Sequence, residues 1–147
     1  MANSLFRRVI APVATPDDAA TTADALAPHV RGTDSTVVAI HVIEKAGGAP
    51  DKASVEQREQ YASEVFDVVA DGFEGTGVTV ELDLRYGTDV AATIINAAHD
   101  KDASAIVFTP RGGSRWRKLL TGDVAHRLVT DSDVPILSLP DHEVNET

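Results

Sequence analysis

The sequence predicts an α/β protein, a parallel sheet with helices packed on both faces. Two observations lead there. Apolar, β-branched runs alternate with segments of helical spacing in the order β-α-β-α-β-α-β-α-β. Such alternation implies parallel strands joined by right-handed crossovers. Residues 35–43 and 104–109 are also near-continuous apolar runs, as in strands buried on both faces. A third observation bears on function. A Gly-rich, basic segment, residues 110–118, follows the second of these runs and leads to a helical pattern opening at Gly122. Strand, Gly-rich loop and helix N-terminus in that order make an anion site, because backbone N–H groups and the helix dipole both point at the loop.

The first strand is expected over residues 7–13. Thr15-Pro16-Asp17-Asp18 then opens a helix, with Thr as N-cap, Pro at the first helical position and acids in the first turn. Ala19, Ala23, Leu26 and Val30 form its apolar stripe, Gly32 ends it, and Pro28 should kink or shorten its last turns. The second strand, residues 35–43, reads as central in the sheet. After a loop through Gly47, Gly48 and Pro50, Ser54-Val55-Glu56-Gln57 reads as a capping box. It opens a long helix with Tyr61, Val65, Phe66, Val68, Val69 and Phe73 inward. Beyond Gly75 and Gly77, the residues Val78, Val80, Leu82 and Leu84 alternate with Thr79, Glu81, Asp83 and Arg85. That is the pattern of a half-exposed strand at a sheet edge. Gly87-Thr88 turns into a third helix with Val90, Ile94, Ala97 and Ala98 inward. The fourth strand covers residues 104–109, the fourth helix places Val124, Ala125, Leu128 and Val129 on one face, and the last strand covers residues 134–139.

A chain of 147 residues is expected to form one domain, residues 1–147, around a single core. Hydrophobic content of 43% and a mean hydropathy of -0.08 fit a folded globular chain. No apolar run is long enough for a bilayer, and the first residues lack the apolar core of a signal peptide. Cytoplasmic location without membrane insertion is the expectation. The absence of cysteine excludes disulfides, thiolate metal sites and thiol nucleophiles together. A net charge of -10 and a pI of about 4.7 argue against a nucleic-acid partner. Lysine occurs only at Lys45, Lys52, Lys101 and Lys118. An acidic, lysine-poor surface suits high salt, where self-repulsion is screened. A salt-loving source is therefore one expectation, and an ordinary acidic cytosolic protein the other.

Gly112 and Gly122, with nine residues between them, resemble part of the nucleotide motif of the universal stress protein family. The Leu119-Leu120 pair, the Val124-Ala125 helix start and the Val134-Pro135-Ile136-Leu137 strand are also similar to that family, and the likeness runs from Arg8 to Leu139. The resemblance implies a Rossmann-like, adenine nucleotide alpha hydrolase-like three-layer sandwich, with a five-stranded parallel sheet in the order 3-2-1-4-5. In that order the chain reverses direction across the sheet between the first and fourth strands, and ligands bind at such switch points. The crevice would be lined by Val13, Ala14 and Thr15 on one side and Thr109 to Gly113 on the other, with Val42 at the end of the second strand. Nucleotide contacts are implied at Arg111, Gly112, Gly113, Ser114, Gly122, Asp123 and Val124, with the phosphates on Gly112, Gly113 and the N–H groups of Gly122 and Asp123.

The motif is incomplete. Thr109 stands where the family has its first glycine and Asp123 where it has Ser or Thr. Pro110 removes a backbone N–H from the loop. Ala14 occupies the position where nucleotide-binding relatives carry an Asp that contacts the nucleoside. A carboxylate at Asp123 would itself satisfy the helix dipole and repel a phosphate. Against this, Arg111, Arg115, Arg117 and Lys118 place four of the 13 basic residues in one segment of an acidic chain. They read either as a phosphate-facing loop or as solvated charges paired to nearby acids, worth ~0–1 kcal/mol each.

The resemblance thus implies a small homodimeric stress-response regulator that binds ATP or AMP, with magnesium only alongside the nucleotide. One alternative is the same fold without nucleotide, working as a dimeric interaction module. A small nucleotide-hydrolysing enzyme ranks last, since no Gly-x-Ser-x-Gly follows a strand and the Asp17-Asp18 pair is explained by helix capping. The five histidines lack metal-ligand spacing, and His41, inside a strand, reads as a satisfied core residue. Trp116 is expected to pack on the core. A homodimer through the last strand (Val134, Ile136, Leu137 and Leu139) is implied by relatives and by an edge whose backbone needs cover.

Overall fold

The computed structural model describes residues 4–44, 52–109 and 123–139. A single 3-10 turn, Ser4–Phe6, precedes β1 (Arg8–Pro12). The chain then runs through α1 (Pro16–Val30), β2 (Thr36–Glu44), α2 (Lys52–Gly72), β3 (Thr79–Gly87), α3 (Val90–Asp100), β4 (Ala105–Phe108), α4 (Asp123–Asp131) and β5 (Ile136–Ser138). The five strands form one parallel sheet in the order β3-β2-β1-β4-β5. The resemblance implied that order, and the switch point falls between β1 and β4.

Alternation along each strand divides the core between the two faces. On one, Val9, Ala11, Val37, Ala39, Ala105 and Val107 meet Ala19, Ala23, Leu26 and Val30 of α1, Val65, Phe66 and Val69 of α2, and Phe73 just after it. On the other, Ile10, Val38, Ile40 and Ile106 meet Ala91, Ile94, Ala97 and Ala98 of α3 and Leu128 of α4. The small residues of α1 and α2 permit close packing. A Cβ added at Gly72, the last residue of α2, would stand 2.5 Å from Ala23 Cβ.

Helix α1 begins as its sequence predicts, with Thr15 Oγ1 accepting from the Asp18 N–H at 3.0 Å. Its C-cap is Arg31, and Gly32 just beyond turns the chain away with a left-handed φ of +74° that favours glycine. Pro28 does not stop the helix, which runs two residues further to Val30. Ser54 does not precede α2 as an N-cap, because the helix already starts at Lys52. The N-cap of α3, not identified in the sequence, is Asp89, which accepts from Ala92 N–H at 3.1 Å. The same carboxylate pairs with Arg127 and so ties α3 to α4.

The edge position of β3 matches its alternation, with one correction. Val80 and Leu84 pack on the core, but Leu82, between them on the same face and paired with Ala39 of β2, stays 49% exposed. The polar face of β3 carries Glu81, paired with Arg8 at 3.1 Å and Lys101 at 3.7 Å, and Arg85, paired with Asp83 at 3.0 Å and Asp100 at 2.8 Å. On α4, Leu128 is fully buried and Val129 is 63% exposed. One residue further round the helix already faces solvent. The loop through Gly47 and the segment containing Trp116 lie outside the described residues.

Candidate functional site

Parallel strands bring the C-terminal ends of β1, β2 and β4 to one side of the sheet. Val13, just past β1, donates its N–H to Ile40 O at 2.9 Å, and its own carbonyl meets His41 Nδ1 at 2.8 Å. The turn into α1 is therefore clamped to β2 through both backbone groups of one residue. Thr109, at the end of β4, is fully buried, and its hydroxyl lies 3.1 Å from that of Thr22 on α1.

A cavity of about 620 Å³ opens beside these ends, lined by Ala14, His41, Val42, Ile43, Glu44, Gln57, Arg58 and Tyr61. The crossover from β2 returns along α2, so the first turns of that helix necessarily border the end of the strand it left. Gln57 and Tyr61, four residues apart, fall on one face there, and Arg58 Nη1 donates to Glu44 O at 3.1 Å. His41 is buried and edge-packed on Tyr61 and Phe66, with ring centroids 6.3 Å away in each case. Burial holds its pKa below the ordinary 6.5, outweighing the opposite pull of the Val13 carbonyl. The imidazole is thus neutral near pH 7, in keeping with a core histidine bonded through Nδ1, and it also forms part of the cavity wall.

The structure sorts the residues expected at the site. Ala14 and Val42 line the cavity. Val13 is buried in the core, Thr15 spends its hydroxyl on the α1 cap, and Thr109 spends its hydroxyl on Thr22. Asp123 and Val124 are the first two residues of α4. Arg111, Gly112, Gly113, Ser114 and Gly122 lie outside the described residues. Glu44, Gln57, Arg58 and Tyr61 were not identified as site residues in the sequence. Their only signal was position: a helix start after a central strand must abut the open end of the sheet. Among the described residues no cluster of three His, Asp or Glu could hold a metal ion, and no helix is long and apolar enough to cross a membrane.

The model of the universal stress protein family matches residues 5–140. The chain belongs to that family. A universal stress protein of Mycolicibacterium smegmatis is 32% identical over 90 residues, which is 61% of this chain and 68% of that protein. Among solved structures, the universal stress protein from Archaeoglobus fulgidus in complex with dAMP superposes with a TM-score of 0.63 at 19% identity, covering 95% of this chain and 99% of that one. A family member from Arabidopsis thaliana with AMP bound gives 0.68 at 14% identity, covering 95% of each chain. At such identities the superpositions establish the shared universal stress protein fold.

Proposed function

We propose that this universal stress protein binds an adenine nucleotide at the switch point and acts as a homodimeric cytoplasmic regulator rather than an enzyme. The observation that carries the proposal is the cavity itself. It lies at the carboxyl ends of β1 and β2, next to the β1–β4 switch point and on the side of the sheet where open parallel sheets bind ligands, and its 620 Å³ falls in the usual range for small-molecule sites. Apolar Ala14, Val42 and Ile43, with Tyr61 and the polar His41 and Gln57, suit a base and sugar. Family members that carry AMP or dAMP on the same fold support the choice of ligand. In this proposal Arg111, Gly112, Gly113, Ser114, Gly122, Asp123 and Val124 contact the nucleotide, the phosphates on Gly112, Gly113 and the N–H groups of Gly122 and Asp123, with ATP or AMP as ligand and magnesium only alongside it.

Asp123 sets the affinity. A carboxylate and a phosphate about 4 Å apart repel by about 4 kcal/mol at an effective dielectric of ~20, roughly a thousandfold in affinity. A divalent ion, or Arg111, Arg115 or Lys118, has to offset that charge. Calorimetry with AMP and ATP, with and without magnesium, tests this. The expected result is weak ATP binding without magnesium, and at least about tenfold tighter binding in Asp123→Ser. Tight magnesium-independent ATP binding by the unaltered protein would show Asp123 to be harmless.

The buried Thr22–Thr109 hydrogen bond favours a second proposal, a nucleotide-free dimeric interaction module. The position of the motif's first glycine is there committed to packing, and Ala14 offers no carboxylate to a ribose. Calorimetry in which neither nucleotide binds would favour the module.

A further inference from the structure

We propose that His41 is a specificity-determining residue of the cavity: it presents a fixed hydrogen-bond acceptor, so the site selects bases that carry an exocyclic amine over those that carry a keto oxygen in its place. The proposal rests on the nucleotide-binding reading above and adds the group that discriminates. A backbone carbonyl cannot donate, so the 2.8 Å contact with Val13 O requires the proton of the neutral ring to sit on Nδ1. Nε2 then carries a lone pair. Among the described residues it has no partner, yet it is not sealed away as a buried unpaired atom. Since His41 lines the cavity, that lone pair is available to a ligand. The ring cannot rotate to exchange its two nitrogens without breaking the Val13 bond and disturbing its edge contacts with Tyr61 and Phe66. The acceptor is therefore pre-organised.

An amine opposite Nε2 completes a hydrogen bond. A keto oxygen there sets two acceptors face to face and leaves both desolvated, a mismatch costing about tenfold to a hundredfold in affinity. Protonation of the ring turns Nε2 into a donor, which removes or reverses the preference. Arg58 and Glu44 are the charged side chains lining the same cavity, Tyr61 and Phe66 come from α2, and β3 opposes His41 with Leu84.

The experiment is calorimetric titration with AMP and IMP, whose bases differ at C6, an amine against a keto oxygen, and at the adjoining N1, an acceptor in AMP and an N–H donor in IMP. At pH 7.5 the unaltered protein is expected to bind AMP at least about tenfold more tightly. His41→Gln, whose amide can turn to donate or accept, is expected to bring the ratio near one. The AMP to IMP ratio of the unaltered protein keeps the test decisive if the variant fails to fold. Equal binding of AMP and IMP at pH 7.5, or an undiminished preference in folded His41→Gln, overturns the role of His41 and leaves nucleotide binding intact. Binding of neither ligand overturns both.

Discussion

His41 couples stability to pH as well as shaping the cavity. Burial lowers its pKa in the folded protein, whereas the unfolded chain titrates near the ordinary 6.5. Between those two values the unfolded state binds the extra proton, so stability falls as pH falls. The loss begins near pH 6.5, is limited to about 1.4 kcal/mol per pH unit and ends below the folded value. Urea denaturation at pH 7.5 and pH 5 should show the unaltered protein losing more stability on acidification than His41→Gln. Equal losses in the two proteins would assign the effect to other groups. Thr109 teaches the opposite lesson at the same scale. Its place in the motif suggested a ligand contact, and its hydroxyl instead closes a buried pair with Thr22.

Among the elements, α1 and α2 show how tightly one layer is fitted. Gly72 ends α2 with no room for a side chain, since an added Cβ would come within 2.5 Å of Ala23 Cβ. Helix propensity alone predicts that Gly72→Ala stabilises by about 1 kcal/mol at most, less at a helix end. The clash is with a short, rigid side chain, and overpacking costs about 1–3 kcal/mol. Gly72→Ala should therefore destabilise the protein, and adding Ala23→Gly should recover much of the loss. Denaturation midpoints of the two single variants and the double variant settle the sign. A stabilised single variant would mean that the helices move apart at little cost.

At the scale of the whole molecule, the two edges of the sheet differ in kind. The outer strand β3 is nine residues long and carries Glu81, Asp83 and Arg85 in ion pairs on one face, charges that discourage pairing with another edge. Strand β5 has only three residues, Ile136–Ser138, and none of them is charged. We propose that this edge is covered by its twin across a two-fold axis. Light scattering at micromolar concentration, in low and in molar potassium chloride, is expected to give the mass of a dimer. A monomer in both conditions would remove the proposed assembly, and a dimer only in high salt would point to repulsion between chains of net charge -10.

The sequence by itself determined which segments are strands and helices, because apolar spacing, the Thr15 cap and Gly32 act within a turn or two of the chain. It also marked β3 as an edge through its alternation, and His41 as a core residue through the apolar run around it. The tertiary structure decided what depends on distant neighbours. Thr22 and Thr109 are 87 residues apart in sequence, and Asp89 meets Arg127 across two helices. Leu82 has the right period for burial and remains exposed, since burial also requires something to cover the position. Gln57, Arg58 and Tyr61 border the cavity for the converse reason. Periodicity fixes which face of an element is apolar, but only the packed order of the strands fixes what stands opposite that face.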